Sequence, residues 1–348
     1  MWLLGLRDLQ WRRRRFLIAV LATSIVFALT LLLAGASSGL KNEGRRIVGS
    51  FGADAWLVAK GTSGPFTAST VLPEDTAREV AALPGVRRAD PVVLLRSSVD
   101  DGSLRDVNVI GYRQGGIGTP TVVDGRLPRR DGEVVADTRL GVDPGEKVRV
   151  NGLQMQVVGT AEGITYAFGT PTIVMPLRDA QELVYAGQPL ASAIVTRGVP
   201  DSVPADLKVL RDDEVRKDLE RPAKSGNETI DFLNVLLWLV AAGIIGSLVY
   251  VSALERVRDF AVLKATGVAS RTLLGVLMIQ SVFLSVAAAL VAAVFAQLLK
   301  PSFPFEVSIE ASAYVSLVVI ALLVGFVASL VGLRRAVGVD PALAFGGA

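Results

Sequence analysis

Glu255-Arg-Val-Arg-Asp-Phe-Ala-Val-Leu-Lys-Ala-Thr-Gly-Val-Ala-Ser-Arg271 is a short charged stretch between two apolar runs, Ile230 to Leu254 and Thr272 to Leu299. Each run is long enough to cross a bilayer. Leu254, Val257, Phe260, Ala261 and Lys264 follow the i, i+3, i+4 rhythm of one helical face, and Glu255, Arg258 and Asp259 form the solvated face beside them. Gly267 offers the left-handed position at which helices commonly end, and Ser270 supplies a cap for the next helix. The spacing predicts a helix that leaves the membrane, turns and re-enters. On these residues alone, a plain charged hairpin between two spans accounts for the stretch equally well.

Composition agrees with a mixed membrane and aqueous architecture. The chain has 348 residues, 51% of them hydrophobic and 20% charged, with a mean hydropathy of +0.48. That is too apolar for an average soluble protein and too charged for a membrane protein without a large aqueous domain. The sequence holds no cysteine and no histidine. Disulfide frameworks, thiol nucleophiles, zinc sites of the usual ligand types and imidazole triads are thereby excluded. The net charge of +3 conceals an uneven distribution.

Residues 1–15 place Trp2, Leu3, Leu6 and Leu9 on roughly one helical side, followed by Trp11 and the run Arg12 to Arg15. This pattern predicts an amphipathic helix at a membrane surface. A four-arginine run can also contact nucleic acid, but no aromatic platform or second basic stripe accompanies it. Residues 16–36 carry no charge and form the first span, TM1. Ala34-Gly-Ala36 resembles a signal-cleavage site, yet the apolar run exceeds the usual length of a signal peptide's hydrophobic region.

Residues 37–228 form the aqueous part, which is large enough for its own core. Ala55 to Ala59, Val92 to Leu95 and Val107 to Ile110 read as strands, and Pro73 to Leu83 as a short helix. Lys147 to Val157 alternates around Asn151-Gly152, the strongest short hairpin signal. Thr172 to Pro176 followed by Leu177 to Ala186 reads as strand then helix. The expected fold is an α-helical membrane protein with four transmembrane helices plus a large extracytoplasmic α+β domain between helices 1 and 2. Asp212 to Glu220 reads as a charged helix, a stalk, with a break at Pro222 to Asn227.

The second span covers 229–254 and contains Ala242-x-x-x-Gly246, a small-xxx-small spacing that lets helices approach closely and suits a dimer contact. Residues 272–299 form the third span, with Gln280 as its central polar group, an amide that needs a partner. Residues 300–310 form a short outer loop, 311–333 the fourth span and 334–348 a tail. Four spans put the N-terminus, the 255–271 segment and the C-terminus on one side, together with Arg12 to Arg15, Arg256, Arg258, Lys264, Arg271, Arg334 and Arg335. The positive-inside rule makes that side cytoplasmic, since charges cost about 2.5 to 3.5 kcal/mol each at the bilayer centre on insertion scales.

Glu255 to Gly267 resembles the cytoplasmic signature of FtsX- and MacB-like (DevC-like) ABC transporter permeases, of the type ER-x-[KR]-E-[FI]-[AG]-[VI]-[LM]-[RK]-[AS]-[LIT]-G. Asp259 stands where Glu is usual and Lys264 where Arg is usual. Asp124-Gly-Arg-Leu-Pro128, Gly132 to Asp137 and the Asn151-Gly152 hairpin resemble the MacB-type extracytoplasmic core domain, and Arg335 to Leu343 resembles the family's closing pattern. The resemblance implies a coupling helix in which Glu255, Arg256, Arg258, Asp259, Phe260, Leu263, Lys264 and Gly267 dock on an ATPase subunit. It further implies a homodimer with two copies of that ATPase, in contact with membrane lipids and in some systems an extracytoplasmic adaptor. No G-x-x-x-x-G-K-[ST] is present, so ATP is expected to be bound by the partner and not by this chain, which is not expected to be an enzyme or to hold a cofactor or metal. The alternative within the same resemblance is an FtsX-like regulator that activates an extracytoplasmic cell-wall hydrolase without transport. A membrane-anchored enzyme has only adjacent acidic pairs such as Asp100-Asp101 and Asp212-Asp213 in its favour, and these fit solvated charges better.

Overall fold

The computed structural model describes residues 13–67, 71–100, 102–255, 262, 270–303 and 305–337. The chain forms two compact units: residues up to Ser38 together with those from Asn227 onward, and Gly39–Gly226. Residues 1–12, for which a surface helix is expected, and the tail from 338 lie outside the described residues.

The unit Gly39–Gly226 is built on a mixed sheet. Its strands are β1 (Ala55–Ala59), β3 (Arg88–Asp100), β4 (Leu104–Tyr112), β5 (Val122–Gly125), β6 (Glu133–Asp137), β7 (Lys147–Val150), β8 (Leu153–Ala161), β9 (Thr172–Pro176), β11 (Ala193–Arg197) and β12 (Leu207–Leu210). The order is β12-β1-β11-β3-β4-β9-β6-β8-β5, with β7 beside β3 and β8, while β2 (Leu72–Pro73) and β10 (Leu190–Ala191) pair separately. Pairing is mostly antiparallel, with β4–β9 and β6–β8 parallel.

Alternation along the strands makes both faces apolar. Trp56, Val58, Val92, Ile110, Val135, Val174 and Val195 are buried on one face. Their neighbours Leu57, Val93, Val109, Val134, Ile173 and Ile194 are buried on the other. Burying each such aliphatic side chain fully contributes about 1.5 to 3 kcal/mol before entropy is counted. Ile47, Val48 and Phe51 of α1 (Arg13–Phe51) and Val215 of α4 (Asp212–Glu255) cover the first face. Ala77 and Val80 of α2 (Thr76–Ala81) and Leu177 and Ala180 of α3 (Leu177–Tyr185) cover the second. Gly111 lets α3 lie on β4, because a Cβ there would stand 2.3 Å from the Ala180 Cβ. The Asn151-Gly152 turn has φ of 45° and 86°, the left-handed pair that a two-residue hairpin requires.

Three expectations are corrected. The helix that begins in the first span does not stop near Ala36 but runs to Phe51. Leu40, Ile47, Val48 and Phe51 form a buried stripe, and Gly52, with φ of 59°, ends it by donating to the Gly49 carbonyl at 3.0 Å. No break occurs at Pro222 to Asn227, since α4 is one helix with Pro222 inside it. A proline removes one helical hydrogen bond, and here Val215 and Leu219, packed in the core before it, and the apolar run after it hold the helix through the defect. The helix expected from Pro73 is shorter, because Pro73 is extended and paired with Leu190 in the small sheet.

In the other unit, α5 (Ser270–Leu299) and α6 (Ala311–Val337) join the N-terminal part of α1 and the C-terminal part of α4. Among the described residues, four helices are long and apolar enough to cross a membrane. Phe27, Leu31, Ala241, Ile245, Ala288, Ala292, Ala321 and Ala328 form their common core. Leu17, Ile18, Leu239, Leu290, Val315 and Leu323 point outward and are exposed, as lipid-facing side chains are. Gly325 brings α6 against α5, since a Cβ there would lie 2.7 Å from Ser285 Oγ and 2.8 Å from Val282 Cα. The 305–310 segment is tied to α1 by the Ser308 N–H donating to the Gly35 carbonyl at 2.9 Å.

Glu133 fixes the segment that precedes β6. Its carboxylate accepts from Arg126 Nη1 at 2.7 Å, Arg126 Nη2 at 2.8 Å, Arg130 Nε at 2.8 Å and the Arg129 N–H at 2.9 Å. The Arg126 hydrogen bonds outweigh burial and hold its pKa down to about 2. A folded pKa below the unfolded value means stability present at neutral pH and lost as pH falls from about 4.5 toward about 2. Glu133→Gln is expected to cost about 1–2 kcal/mol at pH 7, screening by solvent at the half-exposed arginines included, and to remove that part of the acid dependence; chemical denaturation of the full chain across pH 2.5 to 7 measures both. Gly325→Val is expected to lower stability by about 1–3 kcal/mol through overpacking against the α5 backbone. Gly243→Ala, where a Cβ meets nothing within 4 Å, is expected to leave the thermal midpoint of the detergent-solubilised chain unchanged.

Candidate coupling segment and membrane packing sites

α4 ends at Glu255 and α5 begins at Ser270, the two residues that bound the charged stretch in the chain. Leu248 near the end of α4 and Leu284 at the middle of α5 share a buried cluster with Phe16 and Ala19 of α1. Glu255 is exposed at the helix end, and Val262 is also exposed, at 51%. Arg256, Arg258, Asp259, Phe260, Leu263, Lys264 and Gly267 lie outside the described residues.

Ala242 and Gly246 both stand on one groove. With Gly243, Ser247 and Tyr250 of α4, and Val327 and Ala328 of α6, they line an apolar space of about 420 Å³. Small side chains leave this space open, because nothing projects from Gly243 or Gly246 to fill it.

The membrane unit also buries polar atoms that find no hydrogen-bond partner among the described residues: Thr23 Oγ1, Asn234 Oδ1, Trp238 Nε1, Ser252 Oγ and Gln280 Nε2. Gln280, 4% exposed, is the amide singled out by its position in the third span. Thr23 and Ser252 gave no comparable signal, since isolated hydroxyls in apolar helices usually bond to their own backbone. Ser24, Ser281 and Ser285 do so, to the carbonyls of Leu21, Met278 and Ser281.

The outer unit presents an arginine-lined cleft of about 530 Å³ that includes Arg113, Arg129, Arg130 and Arg178. Carboxylates answer three of these: Glu74 at 2.9 Å, Glu133 at 2.8 Å and Asp131 at 3.9 Å. Asp218, 1% exposed on α4, takes its Oδ2 to the N–H groups of Phe66 and Thr67 at 3.0 and 3.2 Å and pins the segment after β1. No cluster of acidic side chains suited to a metal ion occurs among the described residues.

Comparison with known proteins gives this architecture its context. The MacB-like periplasmic core domain family matches residues 16–207, and the FtsX-like permease C-terminal family matches residues 232–341. An uncharacterized ABC transporter permease of Mycobacterium tuberculosis is 42% identical over 344 residues, covering 99% of each chain. A putative hemin transport system permease protein HrtB of Staphylococcus epidermidis is 20% identical over 362 residues, again with 99% of each covered. The crystal structure of the periplasmic region of MacB from Actinobacillus actinomycetemcomitans aligns with a TM-score of 0.35 at 13% identity, over 48% of this chain and 92% of that one. Two family matches in chain order, and full-length relatives at this identity, establish that the chain belongs to the FtsX/MacB-like family of ABC transporter permeases.

Proposed function

We propose that this permease transmits force between a separate cytoplasmic ATPase and its own extracytoplasmic domain, as a homodimer served by two ATPase copies. The observation that carries this reading is the continuity of α4. One helix begins at Asp212, among the domain's residues, and ends at Glu255, the first residue of the coupling stretch. Displacement at the cytoplasmic end of a continuous helix is delivered along its axis, because its turns are hydrogen-bonded in series, with one bond missing at Pro222.

In this mechanism Glu255, Arg256, Arg258, Asp259, Phe260, Leu263, Lys264 and Gly267 form the docking helix and its stop. Closure of the ATPases around ATP pushes that helix, spans one and two move as levers, and the outer domains change their mutual position. ATP is bound by the partner. Cargo is moved at or beyond the outer face, and the sparse polar groups in the spans agree with the absence of a wide aqueous path. The termini and the coupling stretch are cytoplasmic, by the distribution of arginine and lysine.

Purification of the tagged chain in mild detergent is expected to bring with it a stoichiometric ATPase carrying a phosphate-binding loop. If the chain emerges alone, coupling loses its partner and a role of the outer domain as receptor or anchor takes its place. Arg256→Glu with Arg258→Glu, or Ala261→Pro at about 3 kcal/mol or more of helix disruption, is expected to abolish that co-purification while the protein remains inserted. Single cysteines introduced as Ser97→Cys and Ser270→Cys are expected to react with an impermeant maleimide in intact cells only at position 97; the opposite pattern inverts the topology.

A further inference from the structure

The outer domain contains a cavity that the coupling mechanism does not use. It has a volume of about 150 Å³ and is walled by Leu40 of α1, Leu219 of α4, Leu94, Phe66 and Phe168. Four polar side chains also line it: Thr67, held by the Asp218 carboxylate, Asn108, whose amide donates to the carbonyls of Tyr166 and Thr170, and Arg96 and Tyr166. A space of about this size takes a group about as large as a benzene ring or a short alkyl chain.

Arg96 and Tyr166 have unused hydrogen-bonding capacity. Tyr166 is 5% exposed, and its hydroxyl makes no hydrogen bond among the described residues. Arg96 is exposed, donates from Nη2 to Thr170 Oγ1 at 3.3 Å and makes no ion pair among the described residues. A guanidinium and a phenol on one wall favour an anion that accepts from both.

The mouth is shaped by a strained turn. Ala167 and Phe168 have φ of 57° and 63°, two successive side-chain-bearing residues in the left-handed region. Such residues persist only where their surroundings over-determine them. Here Asn108 Nδ2 donates to the carbonyls of Tyr166 and Thr170, each at 3.2 Å, and the Gly169 N–H donates to Glu43 Oε2 of α1 at 3.2 Å. The result holds Phe168 58% exposed beside the cavity.

Leu40 and Pro222, which also lines the cavity, stand two residues after and five residues before the membrane unit in the chain. The walls are therefore borne by the same two helices that continue into the first and second spans.

We propose that this cavity binds an amphiphile with a single anionic head group, its apolar end between Leu40, Phe66, Leu94 and Leu219 and its carboxylate or phosphate on Arg96 and Tyr166. The site lies wholly within the outer domain, and its occupancy does not require that the coupling mechanism be correct.

The full-length chain in phosphatidylcholine nanodiscs is exposed to hexanoic acid bearing a diazirine near the chain end, a probe short enough for this volume, irradiated and mapped by mass spectrometry. Adducts are expected on peptides containing residues 94–96 or 164–170, displaced by excess decanoate, whose head group competes for Arg96, and not by uncharged decyl maltoside. Arg96→Gln, at an exposed position, is expected to reduce labelling about ten-fold, as loss of a charged hydrogen-bond donor does. Leu94→Trp, which fills the cavity, is expected to remove it while the thermal midpoint stays that of a folded chain. Displacement by phosphatidylglycerol added to the nanodisc assigns the occupant to the membrane; displacement by decanoate alone assigns a free fatty acid. Adducts confined to the spans, equal displacement by decyl maltoside, or full labelling of Arg96→Gln overturn the proposal.

Discussion

Inside a hydrocarbon layer a peptide group has no water to bond with, so each N–H and C=O must be satisfied within its own helix. In this chain that obligation is carried well past the membrane. α1 has 39 residues and α4 has 44, which at a rise of about 1.5 Å per residue is roughly 58 and 66 Å, against a core of about 30 Å. The outer ends of the same helices supply Ile47, Val48, Phe51 and Val215 to the domain's own core. The aqueous domain is thus entered and left through helices that help to cover its sheet.

Close approach is obtained in both units by removing side chains where backbones meet. Gly111 admits α3 to the sheet and Gly325 admits α6 to α5. Charge is handled differently. Glu133 and Asp218 are nearly inaccessible carboxylates, each surrounded by several donors, so the desolvation they incur is offset where they stand. Gln280, in contrast, carries an amide nitrogen with no acceptor among the described residues. In apolar surroundings that is a standing cost, and it marks the position as one where an added hydrogen-bond partner gains most.

Much of the architecture was legible because its signals are local. Uncharged runs of about twenty residues report spans. Asn151-Gly152 reports a hairpin through its two left-handed positions, and Ala55 to Ala59 reads as a strand and forms β1. The permease signature at Glu255 to Gly267 was legible through a dozen positions of mixed chemistry, and membership of the permease family agrees with it and with the outer domain. The reach of α1 to Phe51 was signalled by Leu40, Ile47, Val48 and Phe51 before Gly52, yet that stripe is polar in between and short of a clear amphipathic pattern.

By itself, then, the sequence determined four apolar spans, an α+β domain between the first two and the permease signature after the second, because each depends on residues within a few turns of one another. Only the tertiary structure decided that α4 passes through Pro222, since packing of Val215 and Leu219 outweighs a local helix defect. It also decided that β1 lies between β11 and β12, and that Arg96, Tyr166, Leu40 and Leu219 share one cavity. Those arrangements join residues far apart in the chain, and no spacing rule within a segment encodes which distant strand or helix will bury it.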